Sequence, residues 1–133
     1  MQSSLLRLFQ RDIINLYKEI ELYKDESKIW ETLDGTNNSG GNIALHLIGN
    51  LNTYFGKYLG NSPYVRNREA EFSDKNIPKE ILLKSIEQVN QVVSQVLENL
   101  TYKQMKDIYP ESVLGYEMTT EYFLAQPLNW ADD

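Results

Sequence analysis

The chain has 133 residues, one histidine, no cysteine and a formal net charge of -6, with 41% hydrophobic and 24% charged residues. A single domain over residues 1-133 is expected, because this length buries a sufficient core without disulfides or structural metals, and the missing cysteine excludes thiol catalysis and thiolate zinc sites. The acidic balance disfavours nucleic acid as a partner, and charge at Arg7 together with the absence of any long apolar run excludes a membrane segment and points to a cytoplasmic protein.

From Ser4 to about Ser27, the residues Leu6, Phe9, Ile13, Leu16, Ile20 and Tyr23 recur at spacings of three and four, the stripe of an amphipathic helix. Asp34 to Asn42 concentrates turn formers, so a long loop is expected there, with Ser39 or Asn42 available to cap the next helix. Ile43 to Leu59 carries two apolar stripes, one through Ile43, Leu47, Leu51, Tyr54 and Tyr58, the other through Leu45, Ile48, Phe55 and Leu59. A helix of that kind needs cover on more than one side, which predicts a homodimer.

Gly60 to Pro63 should stop this helix, and Tyr64 to Phe72 reads as an irregular connection because its apolar residues follow neither period. Pro78 suits the start of a third helix, and Leu82, Ile86, Val89, Val93, Val96 and Leu100 carry it to about Asn99. Tyr102 to Ile108 allows one or two further turns. Thr119 or Thr120 opens a fourth helix that Pro127 should kink or end. Helices without hairpin signals predict an all-α four-helix bundle.

His46 shares a helical face with Asn50, four residues on. A lone histidine beside an apolar stripe is either a packed, satisfied residue or one ligand of a metal. A first-row metal wants three or four donors, and no glutamate stands in the Glu-x-x-His spacing of di-iron bundles. Nucleophile elbows, phosphate loops and dinucleotide fingerprints are likewise missing. Arg66, Arg68, Glu69 and Glu71 form a dense charge cluster, readable as an anion site or as a surface ion-pair network that fixes the connection.

The run Asn38-Ser39-Gly40-Gly41-Asn42-Ile43-Ala44-Leu45-His46-Leu47-Ile48-Gly49-Asn50-Leu51, followed by Tyr64-Val65-Arg66-Asn67-Arg68-Glu69-Ala70-Glu71-Phe72, resembles the DinB/YfiT-like superfamily over about residues 5 to 125. It is most similar to a branch of unknown function. The resemblance implies a four-helix bundle of up-down-down-up connectivity, usually homodimeric, with a divalent metal of zinc or nickel type on three histidines. His46 matches the position on the second helix. The other two histidines lie four residues apart on the last helix, and relatives of known activity are thiol-dependent transferases or metal-dependent hydrolase-like enzymes.

This chain departs from that pattern between Phe123 and Asp133, which holds no histidine, places Pro127 inside the expected helix and puts Trp130 where a ligand would stand. It is expected to be a shortened or frame-altered member, or one that has given up the metal. A weakly held divalent metal would then need Glu121, Asp132, Asp133 or a second subunit beside His46. The expected function is a non-catalytic helical bundle with an unidentified ligand. The alternative is a metal-dependent enzyme with His46 as ligand, and in either case Asn50, Arg66, Arg68, Glu69 and Glu71 are the pocket candidates.

Overall fold

The computed structural model describes residues 2-32, 38-110 and 117-125, which are mostly helical and contain no strand. Six α-helices are described: α1 (Gln2–Glu21), α2 (Gly40–Leu51), α3 (Arg68–Ser73), α4 (Lys79–Asn99), α5 (Tyr102–Lys106) and α6 (Thr120–Leu124). A 3-10 helix at Glu26–Trp30 and a π-helix at Asn52–Lys57 complete the element order. The protein is all-α, as the periodicities require.

α1 packs chiefly on α4 and runs antiparallel to it. Lys79 Nζ, at the start of α4, donates to the carbonyls of Glu21 (2.6 Å) and Tyr23 (2.7 Å). Near the other end, Gln10 Nε2 donates to Ser94 Oγ at 3.0 Å. The lysine satisfies carbonyls that the end of α1 leaves open, where positive charge is also favoured. Pro78 offers α4 no capping side chain, and Glu26 Oε1 instead accepts from the Lys79 backbone N–H at 2.7 Å. The 3-10 turn thereby joins the end of one long helix to the start of the other.

α2 and the π-helix run parallel to α4. A Cβ at Gly56 would lie 3.4 Å from Val92, and one at Gly60 3.2 Å from Val96, so backbone and helix approach closely there. The core lies between these elements and includes Ile13, Ile20, Phe55, Leu82, Ile86, Val89, Val93 and Leu97, all buried. α1 and α2 hardly touch each other. Between them opens a cavity of about 470 Å3, lined by Leu5, Leu8, Phe9, Leu16, Leu47 and Leu51, with Leu124 and Ala125 at one end.

Several boundaries differ from the sequence expectation. The first helix ends at Glu21 rather than near Ser27, since Asp25 caps a separate turn by accepting from the Ser27 N–H. The expected loop to Asn42 stops early. Ser39 caps a helix that already begins at Gly40, so its glycines are helical rather than turn residues. The second helix changes to π geometry after Leu51, which turns Thr53, Tyr54, Phe55 and Gly56 inward together.

The expected irregular stretch Tyr64 to Phe72 contains α3, capped by Asn67, whose side chain accepts from the Ala70 N–H. The fourth helix is opened by Thr119 as expected and is described as far as Leu124. Pro127, Trp130, Asp132 and Asp133, with most of the Asp34 to Asn38 stretch, lie outside the described residues.

Candidate functional site

α3 lies on α2 through a polar stripe. Asn42, His46 and Gly49 follow at spacings of four and three, one face of a helix, and this face meets the connection that carries Arg66 and Glu71. Asn42 is fully buried. Its Nδ2 donates to the backbone carbonyls of Glu71 (3.0 Å) and Asp74 (2.9 Å), while its Oδ1 accepts from Ser39 Oγ (2.7 Å) and Lys75 Nζ (2.5 Å). One side chain thus caps the end of α3 and fixes its height on α2.

One turn further on stands the centre of the cluster. Arg66 grips Glu71 in a forked pair, Nε to Oε2 at 2.9 Å and Nη2 to Oε1 at 3.0 Å, and His46 Nδ1 lies 3.1 Å from the same Oε1. The forked geometry is that of an ionised carboxylate, which only accepts hydrogen bonds, while a guanidinium only donates. His46 must therefore carry a proton on Nδ1 and give it to Glu71. Arg66 Nη2, 3.3 Å from Nδ1, is a second donor converging on the same oxygen rather than a partner of the ring.

All three groups are withdrawn from water, His46 and Glu71 each 6% exposed and the Arg66 side chain 14%. The carboxylate needs space that any side chain on α2 would take: a Cβ at position 49 would overlap Glu71 Oε2 and stand 2.6 Å from its Cδ. Glycine is what lets a buried ion pair sit against the helix. The Phe72 ring, 5.1 Å from the imidazole centroid, covers His46 from the α3 side. Tyr64 lies in the field of the same cluster; burial raises its hydroxyl pKa, the negative Glu71 adds to the rise, and Arg66 opposes it.

The expected pocket residues divide. His46, Arg66 and Glu71 come together, and Asn50 is buried on α2 one turn beyond His46. Arg68 and Glu69 are exposed on α3. The expected surface ion-pair network is corrected in one respect: the Arg66–Glu71 pair is interior, because α2 offers it both a hydrogen-bonding histidine and a glycine. Glu121 pairs instead with Lys106 at 3.1 Å. Asn42 and Gly49 carry no functional signal of their own in the sequence, and only their spacing from His46 places them on its face.

A transition metal on His46 Nε2 would need at least two further donors nearby. Among the described residues no group of three His, Cys, Asp or Glu side chains could hold one, and both oxygens of the adjacent carboxylate already accept from Arg66 and His46. The described residues do not fit such a centre. The large apolar cavity, lined from α2 by Leu47, Ile48 and Leu51, lies across that helix from the polar stripe.

No helix among the described residues is long and apolar enough to cross a membrane. A family model described as "Protein of unknown function (DUF1572)" matches residues 10–110. No curated protein and no solved structure matches the chain.

Proposed function

The chain belongs to the DUF1572 family of proteins of unknown function, and we propose that it is a DinB-like four-helix bundle, single-domain, up-down-down-up with a short last helix, that binds rather than catalyses. The observation that carries this reading is that both oxygens of the Glu71 carboxylate already accept from Arg66 or His46. Its groups act on one another and so hold α3 to α2, where a catalytic carboxylate or ligand would keep an oxygen for substrate or metal. The antiparallel α1 and α4, with α2 parallel to α4, agree with the first three members of such a bundle.

Metal content tests it. Untagged protein purified without added metal should contain well under one equivalent of zinc, nickel or iron by elemental analysis. A stoichiometric metal that disappears in His46→Ala would replace this reading by the second one, a divalent-metal-dependent enzyme of the transferase or hydrolase type. One feature favours that alternative: an Nδ1–H held by a carboxylate is how metal-binding histidines are commonly oriented.

The partner in this proposal is a second copy of the chain, in the cytoplasm, with neither nucleic acid nor membrane involved. Its support is the open cavity between α1 and α2, with Leu8 and Ile43 about half exposed on those two helices. Sedimentation equilibrium at micromolar protein should give the dimer mass. A monomer mass would remove the self-association from the reading while leaving the bundle intact.

A further inference from the structure

We propose that residues 62–75 form a lid, hinged at both ends and held shut by polar contacts, that controls access to the imidazole of His46. Two asparagines with left-handed backbone bracket the segment, Asn61 at φ 55° and Asn76 at φ 60°. Both lie outside α3, and asparagine is among the few side chains that tolerate this conformation. They mark where the chain changes direction on entering and leaving the segment, which is where hinge rotation is absorbed.

The segment carries little apolar cement. Within α3 the one buried side chain is Glu71, while Val65 is 83% exposed and Phe72 41%. α3 rests chiefly on α2. The contacts that hold it there include the His46–Glu71 hydrogen bond, the two donations from Asn42 to backbone carbonyls and the Lys75–Asn42 contact. Water can replace each of these, so an element fastened in this way opens at lower free energy than one fastened by buried hydrocarbon.

The placement of the charges matters more. Arg66 and Glu71 both belong to the segment, so opening does not divide their forked pair. A pair divided between lid and body would carry the penalty of an isolated buried ion. What opening uncovers is His46, with its Nδ1 freed and the Phe72 ring gone from its face. Closed, the imidazole is 6% exposed; open, it becomes an accessible base and nucleophile. The lid does not depend on whether the chain binds metal.

The single histidine makes the test specific. Diethyl pyrocarbonate should modify His46 of the intact protein slowly, as followed by mass spectrometry of the peptide that contains it. Amide hydrogen exchange should show residues 66–75 opening well before α4 does. Glu71→Gln weakens the latch and should raise the His46 modification rate about tenfold, the expected result of weakening one charge-assisted hydrogen bond, while α4 keeps its protection. Phe72→Ala, at a partly exposed position, should also raise the rate and provides a variant that leaves the ion pair whole. Exchange of residues 66–75 together with α4, or a His46 rate unmoved in both variants, would overturn the lid.

Discussion

Phe55→Ala should lower the unfolding free energy by about 3–5 kcal/mol, the usual cost of removing a fully buried phenylalanine from a close-packed core. Phe55 has no exposed surface and meets the Phe9 ring edge-on at 4.9 Å, joining the π-helix to α1 across the core. It can reach that position because the π turn inserts one extra residue, so four consecutive residues, Thr53 to Gly56, are buried where an α-helix would turn one outward. The loss should appear in urea denaturation as a lower midpoint with an unchanged slope, since the surface exposed on unfolding is nearly the same. A loss under 1 kcal/mol would mean that the core around Phe55 collapses to fill the space.

The long helices were legible because their apolar stripes are regular and because burial obeys the same period as the sequence. In α4 the predicted Leu82, Ile86, Val89 and Val93 are all interior, Val96 is only partly buried because Leu97 takes the interior place there, and the helix ends at Asn99. α3 was not legible. A six-residue helix with one buried side chain, and that one charged, has no apolar period to read, and its local sign was the cap at Asn67 with acidic residues in the first turn. The π-helix was hidden for a related reason, since Ile43 to Leu59 looks apolar on two faces whether or not its geometry changes midway.

At the site the difficulty was one of partnership. His46 and the Arg66 to Glu71 cluster stood out as residue types, and spacing along the chain does not reveal that they meet across α2 and α3. Nor did it indicate that the arginine nearer to α2 would be taken inside while Arg68 stayed in solvent. The cue lay in the companions of His46, because asparagine at i-4 and glycine at i+3 make little sense on an apolar stripe and good sense opposite a buried carboxylate.

That pairing of glycine and carboxylate gives a prediction whose sign depends on a single neighbour. In a helix interior, alanine is ordinarily better than glycine by about 0.5–1 kcal/mol, because it restricts the unfolded chain. Gly49→Ala should do the reverse and destabilise by about 1–3 kcal/mol, the range for overfilling a packed site, since its Cβ would occupy the place of Glu71 Oε2. The carboxylate must leave Arg66 and His46, or α3 must lift from α2. In a Glu71→Ala background the obstacle is gone, and the same Gly49→Ala substitution should now stabilise by about 0.5–1 kcal/mol. The two positions therefore couple by roughly 1.5–4 kcal/mol in a double-mutant cycle read by thermal or urea unfolding. Additive effects would show that Glu71 does not rest against Gly49 in solution, and with that contact would go the structural reason for a glycine three residues after His46.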